Sequence, residues 1–196
     1  MRTLGIATNN IGKYDLFKRM LFSLSPDINL VKINCHVNEI NDISKNAEYK
    51  ALFASKTVNF PVFSTDEALI FSHLDDPFQP GSRIKRIISS DPSDEQLVTY
   101  YSDLLLKLEP AQRSGKISTS IAFAIQGSLL SSSVLHQDCM FKIPPSKIRL
   151  PGRPLASLHY YPQYEKFYSE LTESEKLSED IGPLIEVIQF IAENAL

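Results

Sequence analysis

Cysteine is scarce in this chain, neither sign of charge dominates, and no apolar run is long. Only Cys35 and Cys139 occur in 196 residues. They stand far apart and fit no ligand spacing, so the reading is two reduced thiols rather than a disulfide framework or a zinc site. Lys and Arg number 20 against 23 Asp and Glu, a net charge of −3. That balance argues against a general electrostatic grip on a nucleic acid polymer, which needs a dense basic face. A local basic pocket for a small phosphorylated ligand stays open, because it needs only a few cations. No apolar run approaches the ~20 residues of a membrane span. The apolar start Met1–Ala7 stops at Thr8-Asn9-Asn10, too short for a signal peptide. The expected compartment is cytoplasmic, with no membrane partner. The four histidines show no metal spacing, no Gly-x-Ser-x-Gly elbow supports a serine triad, and no aromatic–basic array suggests single-stranded nucleic acid.

What is present is a globular composition, 43% hydrophobic and 22% charged, in a chain long enough to bury a core unaided. A single domain over residues 1–196 is expected. Residues 3–8 read as a buried strand, 9–12 as a turn, and Leu16, Phe17, Met20, Leu21 and Leu24 place a helix from Lys13 onward. A second strand is predicted near 28–33. Ala47, Ala51, Ala54 and Val58 mark a second helix, stopped by Pro61. Val62-Phe63 opens a strand expected to end at Asp66-Glu67, facing solvent. Residues 73–92 read as an irregular loop. Ser93-Asp94-Glu95-Gln96 is a capping box, opening a helix with Leu97, Tyr101, Leu104, Leu105 and Leu108 inward. Residues 116–126 alternate strictly, the strongest strand signal in the chain. Further strands are expected near 129–135 and 139–143, and a proline-rich loop over 144–163. Thr172–Glu175 is another capping box, and Leu184, Ile185, Ile188 and Ile191 give the last helix its core face. The class is α/β.

Two segments could carry chemistry. At Thr8-Asn9-Asn10-Ile11-Gly12-Lys13 a strand ends, the chain turns tightly, and a helix begins. Helix N-termini offer unpaired N–H groups and a positive dipole end to anions. Thr8 and Asn10 add donors and Lys13 a full charge. This is a candidate phosphate cradle without the glycine pattern of a Walker loop. An ordinary strand–helix turn is the plainer alternative. At the second segment, Asp66-Glu67, carboxylates could hold Mg²⁺, which favours one or two of them with waters and substrate phosphates. One could instead orient an attacking water. Solvated acids are the alternative there.

Five segments in register resemble the inosine/xanthosine triphosphate pyrophosphatases, which hydrolyse non-standard purine nucleoside triphosphates to the monophosphate and pyrophosphate. Ala7-Thr8-Asn9-Asn10-Ile11-Gly12-Lys13 is similar to that family's A-T-x-N-x-x-K. Asn46-Ala47-Glu48-Tyr49-Lys50-Ala51 is similar to E-N-A-x-x-K-A. Ser64-Thr65-Asp66-Glu67-Ala68-Leu69 stands in the place of A-D-D-S-G-L. Pro80-Gly81-Ser82-Arg83 resembles P-G-x-x-S-A-R, and Tyr164–Lys176 the stretch ending in E-K. The resemblance implies an elongated two-lobed α/β fold, a long mixed β-sheet flanked by helices with the nucleotide in a central cleft. It also implies a homodimer and Mg²⁺. Carried over by position, Thr8, Asn10 and Lys13 grip the triphosphate. Asn46, Lys50, Arg83 and Lys176 complete the nucleotide site. Asp66, with Glu67, is the metal-holding and water-activating acid. The chain departs from the pattern at Lys45, where the family has an acidic metal ligand, at Thr65, and in lacking F-G-Y-D-P and S-H-R. Glu67, Asp42 or Glu39 could supply the missing acid. Base discrimination is accordingly expected to be weak or redirected. The runner-up reading is a weak or inactive homologue that binds a nucleotide or a protein partner.

Overall fold

The computed structural model describes residues 2–193. The strands are β1 (Arg2–Ala7), β2 (Ile28–Ile33), β3 (Val62–Phe71), β4 (Ser114–Ile125), β5 (Ser128–Phe141), β6 (His159–Tyr161) and β7 (Lys166–Phe167). The helices are α1 (Ile11–Leu24), α2 (Ile43–Ser55), α3 (Asp94–Leu106), α4 (Glu173–Glu179) and α5 (Ile181–Glu193). The strands form one mixed sheet in the order β2-β1-β3-β4-β5-β6-β7. β1 runs parallel to β2 and β3, whereas β5, β6 and β7 pair antiparallel. The α/β class and the long mixed sheet flanked by helices are as expected.

The chain divides into two units. The first comprises residues 1–67, 119–135 and 179–196, and the second comprises 68–118 and 136–178. In the first, a row of rings forms the core. Phe17 of α1 meets Phe63 of β3 edge-on at 5.1 Å, Phe63 lies 5.9 Å from Phe123 of β4, and Phe123 stacks on Phe190 of α5 at 4.1 Å. The alternation of β4 therefore does not separate core from solvent. One face carries large residues toward these rings, and Ala122 and Ala124 on the other pack against Ala47 and Ala51 of α2. Small side chains on both partners let α2 lie close to the sheet, near enough for Ser64 Oγ to donate to the Ala47 carbonyl. A two-residue turn joins β4 to β5. Gln126 and Gly127 both adopt positive φ, 49° and 77°, as a twisted hairpin requires.

In the second unit, Leu97, Tyr101, Leu104 and Leu105 of α3 pack with Leu69, Phe71, Cys139, Phe141 and Leu158. The predicted capping box is present: Gln96 N–H donates to Ser93 Oγ at 3.2 Å, and Ser93 N–H to Gln96 Oε1 at 2.8 Å. Both cysteines are buried free thiols.

Several boundaries differ from the sequence reading. α1 begins at Ile11 rather than Lys13 because Asn10 caps it, accepting from Gly12 N–H at 2.9 Å. Leu24 is exposed. β3 continues to Phe71, so Asp66 and Glu67 lie within the strand, not at its end. β5 is one strand of 14 residues rather than two. Its polar middle, Ser131–Ser133, weakens the apolar signal, but strand pairing uses the backbone and tolerates it. β6 forms inside the expected 144–163 loop as a three-residue strand, too short for any periodicity to announce. On α5, Val187 and Phe190 are buried and Ile185 is exposed. The side chains of Leu184 and Ile191 lie outside the described residues.

His159 on β6 has a measurable consequence. It is buried between Phe141 and Tyr161, at ring distances of 5.6 and 4.5 Å. Burial, reinforced by the nearby Arg153 charge, pushes its pKa down from 6.5 to about 3. Between those values the unfolded chain binds a proton that the folded chain does not. The stabilisation is whole above the unfolded value and is lost as pH falls through the window. Denaturant titration should show a loss of about 1 kcal/mol from this group between pH 7 and 5.5. His159→Phe should flatten that slope, and an identical slope in the variant would place the acid sensitivity elsewhere.

Candidate functional site

The site is built where β1, α1, α2 and β3 of the first unit supply polar side chains. After Ala7 the chain leaves the sheet. Asn10 N–H donates to Thr8 Oγ1 at 3.1 Å, and the Asn10 carboxamide oxygen caps α1. The first helical bond is Tyr14 N–H to the Asn10 carbonyl at 3.2 Å, so the N–H groups ahead of it have no partner within the helix. Asn9 has a role the sequence did not suggest. Its carboxamide donates to the Cys35 carbonyl at 2.7 Å and accepts from Cys35 N–H at 3.0 Å, tying the turn to the segment after β2.

Lys13 sits in the first turn of α1. Its Nζ lies 3.2 Å from Glu67 Oε1 and 3.3 Å from Thr65 Oγ1. Side chains alternate along a strand, so residues 65 and 67 share one side of β3 while 64 and 66 take the other. Asp66 therefore points away from Glu67, toward α2. There Asn46 and Lys50, four residues apart on one face of the helix, converge on it. Lys50 Nζ donates to Asp66 Oδ1 at 2.7 Å and to Glu39 Oε1 at 3.1 Å, and also to the Thr65 carbonyl at 3.3 Å. Asn46 donates to Asp66 Oδ2 at 2.9 Å. Asn46 is itself held by the backbone of Ile40, whose N–H and carbonyl both lie 2.8 Å from its carboxamide. Asp66, Lys50, Asn46, Thr65 and Thr8 are all buried. A lone lysine in a sequence is ordinarily solvated, and Lys50 departs from that because two carboxylates surround its ammonium.

The carboxylates that could have replaced missing metal ligands are thus engaged. Asp42 caps α2, accepting from Ser44 and Lys45 N–H at 3.0 and 3.1 Å. Glu39 is on Lys50 and Glu67 on Lys13. Among the described residues no group of three His, Cys, Asp or Glu is gathered for a metal. Asp66 takes one donor on each oxygen, and a carboxylate oxygen has two lone pairs. Asp66 thus keeps a lone pair on each oxygen, and a Mg²⁺ held there would need waters and phosphate oxygens for the rest of its shell. Lys45 is exposed. The remaining candidates belong to the second unit, where Arg83 is exposed and Lys176 is buried with its Nζ 3.2 Å from Glu173.

Three solved structures share this fold. A HAM1 protein from Coxiella burnetii superposes with a TM-score of 0.70 and 19% identity, covering 91% of each chain. The Ham1 protein of Staphylococcus aureus gives 0.69 and 20% over the whole of both chains. A nucleoside-triphosphatase, a dITP/XTP pyrophosphatase from Mycobacterium abscessus, gives 0.64 and 17%, over 95% of this chain and 98% of that one. Comparison with curated proteins by sequence finds no match. The family profile described as the Ham1 family matches residues 4–178. That span contains all five segments whose resemblance the sequence carries, and the chain belongs to the Ham1 family.

Proposed function

We propose that this chain is a nucleoside triphosphate pyrophosphatase acting on non-standard purine nucleotides and releasing the monophosphate and pyrophosphate. The observation that carries the reading is the pairing of two features in one unit. One is a lysine at a capped helix start, and the other is a buried aspartate on the neighbouring strand, held by Lys50 and Asn46. Family membership and the activity of the Mycobacterium abscessus neighbour support it.

In this reading the triphosphate lies against the start of α1. The helix N–H groups, the Thr8 hydroxyl and Lys13 Nζ neutralise its oxygens. Asp66, fixed by Lys50 and Asn46 on the α2 side of β3 and facing away from Lys13, accepts a hydrogen bond from the attacking water, which requires the α-phosphate to extend beyond the Lys13 cradle to that side of the strand. The P–O bond to the β-phosphate breaks, pyrophosphate leaves with its electron pair, and the proton lost by water passes to solvent through the carboxylate. Mg²⁺, when bound, supplies further charge neutralisation on the phosphates. Lys50 holds Asp66 in place and brings positive charge near the reacting group. Arg83 and Lys176 enter this reading through their sequence motifs alone, as do a homodimer and a cytoplasmic setting.

The test is pyrophosphate release across a panel of inosine, xanthosine and standard triphosphates, with and without Mg²⁺. Metal-dependent release from the non-standard purines is expected. With F-G-Y-D-P and S-H-R missing, discrimination against the standard nucleotides should be weak. Lys13→Ala should weaken triphosphate binding by roughly 1.5–3 kcal/mol, the range for a hydrogen bond to a charged group, in a calorimetric titration. Binding without hydrolysis of any nucleotide would favour the inactive-homologue reading. An unchanged dissociation constant for Lys13→Ala would remove the cradle.

A further inference from the structure

Glu67 does nothing in the hydrolysis described above, yet it holds the group on which phosphate binding depends. Its Oε1 lies 3.2 Å from Lys13 Nζ, presenting an anionic oxygen to the ammonium as a phosphate would. The other partner of that ammonium, Thr65 Oγ1 at 3.3 Å, is neutral. The two charged side chains are unequally placed: 18% of Lys13 is exposed against 40% of Glu67. The carboxylate is the member that can turn into water without stranding a charge, while the lysine stays where the helix start needs it. A partly exposed ion pair is weak enough for a ligand to displace.

We infer that Glu67 is an internal competitor for Lys13. It occupies the lysine in the empty site, yields to the incoming triphosphate, and re-engages the lysine as pyrophosphate leaves. This rests on the phosphate-cradle reading. Glu67 weakens ground-state binding of any ligand that uses Lys13, product included, and so limits retention of pyrophosphate. It is a positioning residue that acts through Lys13 and not on the reacting atoms.

The experiment is calorimetric titration of the full chain with inorganic pyrophosphate and with inorganic triphosphate. It compares wild type, Glu67→Gln, Glu67→Asp, Lys13→Met and the double variant Lys13→Met/Glu67→Gln. Glu67→Gln should tighten both ligands by ~5-fold, the upper end of what a partly exposed pair is worth. The same variant should lower the product-inhibition constant by a similar factor. Glu67→Asp, which keeps the charge, should stay near wild type. In the Lys13→Met background the Glu67→Gln effect should vanish. Glu67→Ser provides the same comparison if the glutamine variant misfolds. Tightening that persists without Lys13 overturns the inference, because general charge and not competition is then the cause. Unchanged binding by Glu67→Gln also overturns it, while leaving the cradle intact. If neither ligand binds to wild type or to Glu67→Gln, the cradle itself fails and the competitor with it.

Discussion

Asp66→Asn lowers kcat by at least ~10²-fold, the lower end for a positioned acid–base or charge-stabilising group. The substitution keeps the shape of the side chain and removes its charge. Asp66 accepts from Lys50 on one oxygen and from Asn46 on the other. An asparagine has one acceptor oxygen and one NH₂ group, so one of those two donors comes to face another donor. The sequence had placed this carboxylate in solvent at a strand end, where the change would be nearly silent for folding. Buried in mid-strand, it should instead cost about 1–3 kcal/mol of stability, the penalty for an unsatisfied buried group. Steady-state kinetics on a variant shown by thermal melting to be folded separates the two effects. Turnover within tenfold of wild type would move the chemistry away from Asp66.

Lys50→Met is expected to be the most destabilising single change at the site, by about 3–5 kcal/mol. The lysine lies 2.7 Å from Asp66 and 3.1 Å from Glu39. Without it two carboxylates face one another across the space it filled, one of them buried. The loss is therefore the cost of an uncompensated charge and not the net worth of the pair. Urea denaturation measures it. The double variant Lys50→Met/Asp66→Asn should be more stable than Lys50→Met alone, because the second change removes the charge that the first exposed. A cost below about 1 kcal/mol for Lys50→Met would mean the pair is solvated and behaves as a surface contact.

Much of the fold was legible because its causes are local. The stripe Leu97, Tyr101, Leu104, Leu105 and the capping box at Ser93 placed α3 almost to the residue. Strict alternation placed β4. The errors fall where local pattern is silent. β6 has three residues, too few to show a period, and is held by pairing with the end of β5 and with β7. The end of β3 was read from two acids, but Leu69 and Phe71 beyond them are buried in the core of the second unit and carry the strand onward.

The candidate site divides along the same line. Its residues were all identifiable from the sequence, because Thr8, Asn10 and Lys13 share one turn and Asn46 and Lys50 share one helical face. Their partners were not. Lys13 to Glu67, Lys50 to Asp66 and Asn9 to Cys35 each join separate elements. Those distances are set by how closely Phe17 meets Phe63 and how closely the alanines of α2 approach Ala122 and Ala124. The sequence by itself determined the α/β class and the capping boxes at Ser93 and Thr172, whereas the structure carries β3 on through Asp66 and Glu67 and so turns them to opposite faces. Only the tertiary structure decided that each carboxylate meets its own lysine. Side-chain pairing over ångströms depends on packing between elements, and no spacing within one element encodes it.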